Sequence, residues 1–145
     1  MKTRRALAGE GTVLAAIEKA AASHPWSLSQ LINACRDERY EVWVVEDEAI
    51  SGFAVTQRVL DEVTLLNIAV DPVCQGQGLG RQLLNAILEN ALASGAQRCL
   101  LEVRHSNEPA RALYASLGFL VDGTREGYYP AEQGREDALL MSKSL

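Results

Sequence analysis

The sequence predicts a mixed α/β sheet in the order β-α-α-β-β-β-α-β-α-β-β, with a meander at the front and crossover connections behind. Three observations lead there. Residues 40–70 hold three β-branched apolar runs, YEVWVVED, AISGFAVTQRV and EVTLLNIAV, separated by the acidic turn clusters Glu46-Asp47-Glu48 and Asp61-Glu62. Leu79, Leu83, Leu84, Ile87, Leu88, Ala91 and Leu92 then recur at helical spacing. A short apolar strand, RCLLEV, separates that helix from the next.

Each element has its own local signal. Residues 3–7 form a short edge strand. The alanine-rich GTVLAAIEKAAASH reads as a helix that ends near His24-Pro25. SLSQLINACRDE is a second helix with Ser27 or Ser29 as its cap. After the three-strand meander and the leucine-rich helix, Gly95 is a C-terminal stop. SNEPARALYASLG follows RCLLEV as a helix capped by Ser106 or Asn107, with Pro109 in its first turn and Gly118 as stop. FLVDGTREGYY and EDALLMSK read as a closing strand pair.

Composition narrows the function classes. The 145 residues are enough for one domain, 1–145, with a substantial core, and 48% hydrophobic with 23% charged residues is an ordinary globular balance. A net charge of −5 leaves no overall basic footprint for nucleic acid. Cys35, Cys74 and Cys99 are odd in number, widely spaced and without a CxxC pair, which argues against a disulfide framework or a zinc site. No stretch reaches the ~20 apolar residues of a membrane span, and the basic N-terminus meets no apolar run of signal-peptide length. The expectation is a soluble, cytoplasmic protein that uses no metal.

The segment DPVCQGQGLGRQLL lies at a strand-to-helix junction and places Gly76, Gly78 and Gly80 at alternate positions. A helix start offers unpaired N–H groups and the positive end of its dipole, and glycines let an anion approach the main chain. The other reading of such a segment is a flexible loop. No Lys-Ser/Thr pair follows, so the Walker pattern is absent. The GxGxG spacing, placed after a meander, also differs from the dinucleotide fingerprint GxGxxG.

Gln75, Gly78 and Gly80 fit the pattern Gln/Arg-x-x-Gly-x-Gly/Ala, and the surrounding residues extend the match. HPWS, NIAVDP, LEVR-x-SN, ALY-x-SLGF, YYP and GREDALLM together resemble the GNAT superfamily of N-acetyltransferases, in particular its RimI type, from about residue 24 to 141. The resemblance implies the acyl-CoA N-acyltransferase fold and acetyl-CoA as co-substrate. It implies an acceptor that is the N-terminal alanine of a basic small-subunit ribosomal protein. It also implies that Ile68, Ala69 and Val70 bond the pantetheine and acetyl group. The N–H groups of Gly76, Gln77, Gly78, Leu79, Gly80 and Arg81, beside Gln75, would hold the pyrophosphate, with Asn107 as a further contact to CoA.

Acetyl transfer to an amine needs the amine neutral and gains from a proton donor for the departing thiolate. Glu102 ends an apolar strand; partial burial would raise its pKa and suit it to a general base, while strand alternation would let it emerge into solvent instead. Tyr114 stands seven residues after Asn107, nearly two helical turns on, with Leu113 and Leu117 on an adjoining face as better core candidates. It reads either as core packing or as a proton donor. The resemblance implies Glu102 as the base and Tyr114 as the acid. Trp26 caps the core or borders a peptide groove, and Tyr128 and Tyr129 pack the last hairpin or contact the acceptor. Gly127 stands where the family commonly has asparagine. Glu46, Asp47, Glu48, Asp61, Glu62, Glu136 and Asp137 are ordinary surface charges or a field that attracts a basic tail. Two other readings are a small-amine acetyltransferase and an acetyl-CoA sensor without turnover.

Overall fold

A computed structural model describes residues 1–145. Seven strands form one sheet: β1 (Lys2–Arg5), β2 (Tyr40–Glu46), β3 (Ile50–Val59), β4 (Glu62–Val70), β5 (Arg98–Arg104), β6 (Leu120–Pro130) and β7 (Arg135–Ser144). Their spatial order is β1-β2-β3-β4-β5-β7-β6. Every neighbouring pair is antiparallel except β4 and β5. The helices are α1 (Gly11–Ala21), α2 (Leu28–Arg36), α3 (Leu79–Ala93) and α4 (Glu108–Ser116). The element order matches the sequence expectation, and no helix is long and apolar enough to cross a membrane.

The helices cover both faces of the sheet. Leu14 and Ile17 of α1 and Leu31 and Ala34 of α2 pack on Val42, Val44, Phe53, Val55 and Ala69. On the other face Leu84, Ile87 and Leu88 of α3 and Tyr114 of α4 pack on Ala54, Leu65, Cys99, Leu101, Val103 and Met141. Alternation within each strand sends successive side chains to these two layers. A β-carbon on Gly11 would lie 2.7 Å from Ile32 Cα, so its absence lets α1 and α2 approach closely. Ser27 rather than Ser29 caps α2, in a reciprocal box: Gln30 N–H donates to Ser27 Oγ (3.1 Å) and Ser27 N–H to Gln30 Oε1 (2.7 Å). The first helix is shorter than the sequence suggests, ending at Ala21 and preceded by a 3-10 turn at Ala8–Glu10.

The β3–β4 hairpin turns on Leu60, which has φ +57 and is 88% exposed. A leucine in the left-handed region costs about 1–2 kcal/mol, and here no burial offsets it. Leu60→Asn, whose side chain tolerates that region, is expected to raise stability by roughly 1 kcal/mol, or ~2–4 °C in Tm for a chain of this size. Thermal unfolding followed by circular dichroism checks this; an unchanged or lower Tm would mean that Leu60 is not strained in solution.

Candidate active site

The parallel pair β4–β5 is joined only from Glu62↔Arg98 to Leu65↔Leu101. Beyond that point β4 is bulged: β3 pairs Thr56 with Leu65 and Val55 with Asn67, leaving Leu66 unmatched. Both strands run on, β4 to Val70 and β5 to Arg104, so they part and open a gap in the sheet. Asp71 N–H donates to Ser51 O of the strand bordering the other side (2.8 Å). By alternation Ala69 turns its main chain the same way, and Ile68 and Val70 present theirs to the gap. The Val70 carbonyl accepts from Gln75 Nε2 (3.1 Å), which ties the glycine segment to the strand end.

That segment starts α3. Gly76 and Gly78 have φ of +80 and +79, and nothing lies within 4 Å of a β-carbon added to either. The first helical hydrogen bond runs from Gln82 N–H to Gly78 O. None of the six consecutive N–H groups from Gly76 to Arg81 donates to a backbone or side-chain acceptor in the chain. Six free donors at the positive end of a 15-residue helix form a cradle that could hold an anion. The Arg81 guanidinium donates to Ser116 Oγ (2.7 Å), linking α3 to α4 beside the cradle, and Leu113 Cδ2 would stand 3.4 Å from a β-carbon at Gly80.

Glu102 and Tyr114 lie on opposite faces of the sheet at this gap. Leu101 and Val103 pack in the same cluster as Tyr114, so Glu102 between them points to the α1–α2 side. Of the two environments left open for Glu102, the structure gives an intermediate one: its side chain is 33% exposed and its Oε1 lies 3.5 Å from Arg125 Nη1. Tyr114, in contrast, is the buried residue of α4, while Leu113 and Leu117 are only partly buried. The sequence reading favoured Leu113 and Leu117 for the core, whereas the packing of α4 on the sheet turns the Tyr114 face inward; of the two cap candidates, Asn107 is the one used. Asn107 is the N-cap, with φ −81 and ψ 72, and its Oδ1 accepts from Ala110 N–H (3.3 Å) while its Nδ2 has no partner in the chain. Burial pushes the Tyr114 phenol up to about 12, and the neighbouring Tyr129 and Cys99 add to the effect. Its ring also packs on Phe119, with centroids 5.9 Å apart.

On the Glu102 side, the mouth of the gap is built by β5, the β6–β7 hairpin and the loop between α1 and α2. Arg104 holds these together: Nη1 donates to Pro130 O (2.8 Å) and Glu136 Oε1 (3.0 Å), and Nη2 lies 3.1 Å from His24 Nδ1. Its guanidinium stacks 4.5 Å over Tyr129, and Arg125 stacks 4.5 Å over Tyr128. The two tyrosines meet edge to face at 5.0 Å. Burial, then the Glu102 charge, raise the Tyr129 pKa. Gly127 has φ +58, a left-handed conformation that glycine adopts without strain.

Three residues of this region escaped the sequence reading. Glu18, in the stripe Leu14, Ile17, Glu18 and Ala21, sits at a core position and is 2% exposed. Its Oε2 accepts from Trp26 N–H (3.0 Å) and from Asn67 Nδ2 (2.7 Å). An acid in the apolar stripe was the available signal for Glu18, and the motif NIAVDP contained Asn67 without assigning it a role; Arg125 carried none, because its place depends on strands distant in sequence.

Comparison with known proteins bears on the family and the fold. The Acetyltransferase (GNAT) family matches residues 12–119. The [ribosomal protein bS18]-alanine N-acetyltransferase of Escherichia coli (strain K12) is 46% identical over 127 residues, covering 87% of this chain and 85% of that protein. The crystal structure of the ribosomal-protein-S18-alanine N-acetyltransferase from Escherichia coli superposes with a TM-score of 0.93 at 40% identity, over 99% of this chain and 92% of that one. A Salmonella typhimurium structure with its cofactor acetyl-CoA shares the fold at 23% identity and a TM-score of 0.85, over 100% of this chain and 94% of that one. With the family match spanning most of its length and a relative this similar along nearly all of both chains, the protein belongs to the GNAT family of acetyltransferases.

Proposed function

We propose that this enzyme transfers the acetyl group of acetyl-CoA to the N-terminal alanine of ribosomal protein bS18, in the cytoplasm, as a single domain. The observation that carries this reading is the 46% identity to an enzyme of that activity over 87% of the chain. The site supports it chemically. Acetyl-CoA, when bound, supplies an acetyl group activated as a thioester. The free N–H groups from Gly76 to Arg81 hold its pyrophosphate, steadied by Gln75. The gap-facing main chain of Ile68 and Val70, continued by Ala69, takes the pantetheine arm like an added strand. Asn107 contributes its free Nδ2 to the same ligand.

Glu102 accepts a proton from the acceptor amine, directly or through water, on the α1–α2 side of the gap. Tyr114 holds its phenolic proton on the opposite side for the sulfur that leaves as CoA. The two groups thus serve the two ends of one displacement from opposite faces, which keeps acceptor and CoA from competing for space. The hairpin carrying Tyr128 and Tyr129 and the loop carrying Trp26 line the peptide entrance.

Mass spectrometry of acetyl transfer tests this reading. One peptide begins with a free alanine and continues with a basic sequence; its twin has that amine blocked and an internal lysine free. Acetylation of the first alone is the expected result. Acetylation of neither, with acetyl-CoA binding intact, would overturn the N-terminal reading and leave a small amine or a sensing role.

A further inference from the structure

The buried carboxylate of Glu18 is the feature that packing does not explain. Its Oε2 accepts two hydrogen bonds, but Oε1 is buried and has no partner. Burying a carboxylate with one oxygen unserved costs stability, and an apolar residue would complete the stripe of Leu14, Ile17 and Ala21 more cheaply. What Glu18 does achieve is to fix Asn67. The atom of Asn67 that faces Glu18 Oε2, at 2.7 Å, is Nδ2, which donates to it. The Oδ1 of Asn67 is thereby turned away from Glu18; it takes no donor from the chain and remains accessible to solvent.

The position of Asn67 gives that oxygen a use. Asn67 follows the bulge at Leu66, just past the last β4–β5 pair, Leu65↔Leu101. Glu102 follows Leu101 on the opposite bank of the gap. Asn67 contacts α1, and Glu102 alternates away from the α3–α4 layer, so both side chains emerge on the same face. An amine entering from that face has a carboxylate on one strand and an amide carbonyl on the other, each able to accept one N–H.

We propose that Asn67 binds the acceptor's α-amine through Oδ1, opposite Glu102, and that Glu18 is the positioning residue that holds Asn67 in this orientation. The assignment rests on the peptide-acetylating reading above. Two acceptors on opposite strands orient the nitrogen lone pair toward the gap and favour a primary amine, which can satisfy both. Glu18 Oε2 also accepts the main-chain N–H of Trp26.

The experiment is steady-state kinetics on the full chain with the alanine peptide, using Asn67→Ala, Glu18→Ala, Glu18→Gln and the Asn67→Ala/Glu18→Ala double variant, with acetyl-CoA affinity measured by calorimetry. Loss of one hydrogen bond predicts a rise of roughly three- to tenfold in peptide KM for Asn67→Ala, with acetyl-CoA affinity within about twofold of the original. Glu18→Ala should raise peptide KM similarly and the double variant no further, because Glu18 acts through Asn67. Glu18→Gln keeps an acceptor oxygen and should recover most of the loss. A merely structural Glu18 would lower Tm without this pattern. Peptide KM unchanged in Asn67→Ala would overturn the assignment even if Glu18→Ala fails to fold, and so would single-variant effects that multiply in the double variant. An original enzyme that binds acetyl-CoA but acetylates no alanine peptide would instead overturn the reading beneath it, and the role of Asn67 with it.

Discussion

Glu102→Gln is expected to lower kcat for the alanine peptide by about 10²–10³-fold at pH 7 while acetyl-CoA still binds. The substitution keeps the side chain's size and its place on β5 but removes the ability to accept a proton. Glu102 is partly exposed and its carboxylate has only the Arg125 guanidinium at 3.5 Å, so exchanging it disturbs no buried network. The pH dependence separates its role from a packing effect. An α-amino group has an ordinary pKa of about 7.7–8.0, so below that range the acceptor is mostly protonated and needs a base. Above it the amine is already neutral. The defect of Glu102→Gln should therefore shrink as pH rises from 7 toward 9, read as the ratio of the two enzymes' kcat at each pH. A ratio that stays constant across that range would show that Glu102 does not remove the amine's proton.

Tyr114→Phe should cost about 10²-fold in kcat, with the fold intact. Tyr114 is 5% exposed and its ring packs among Leu84, Leu101, Val103 and Phe119, contacts that phenylalanine retains. Only the hydroxyl is lost. Its pKa, raised to about 12 chiefly by burial, keeps the proton on the phenol throughout the neutral range, so the donor is present whenever CoA leaves. The sign follows directly: kcat of the unsubstituted enzyme should show no loss from Tyr114 deprotonation until pH nears 12. Rapid-quench kinetics of the first turnover, with Tm as a control, measures the effect. An unchanged rate for Tyr114→Phe would remove the hydroxyl from the reaction and leave Tyr114 as core packing alone.

Much of the fold is local, and local signals were readable. The change from period-two to helical spacing at Leu79, the capping box of Ser27 and Gln30, and the stops at Gly95 and Gly118 each depend on a few neighbouring residues. The glycine cradle was readable for the same reason: Gly76 and Gly78 need backbone angles that glycine adopts without strain, and a helix start always has free N–H groups. Family resemblance then pointed to Glu102 and Tyr114, though local alternation left both of their environments open.

Those environments were decided by the crossover that sets β5 between β4 and β7, strands separated from it by 27 or more positions in the chain. That placement assigns one face of β5 to the α3–α4 core and the other to the mouth, so Tyr114 is buried and Glu102 partly exposed. It also brings Glu18, Asn67, Arg104 and Arg125 around one gap. The sequence by itself determined the elements, their order and the glycine-rich helix start, since hydrogen bonding along the backbone and side-chain period act over a few residues. Tertiary structure alone decided which polar groups share the gap and which are desolvated, because burial and charge proximity depend on neighbours that only sheet order brings together.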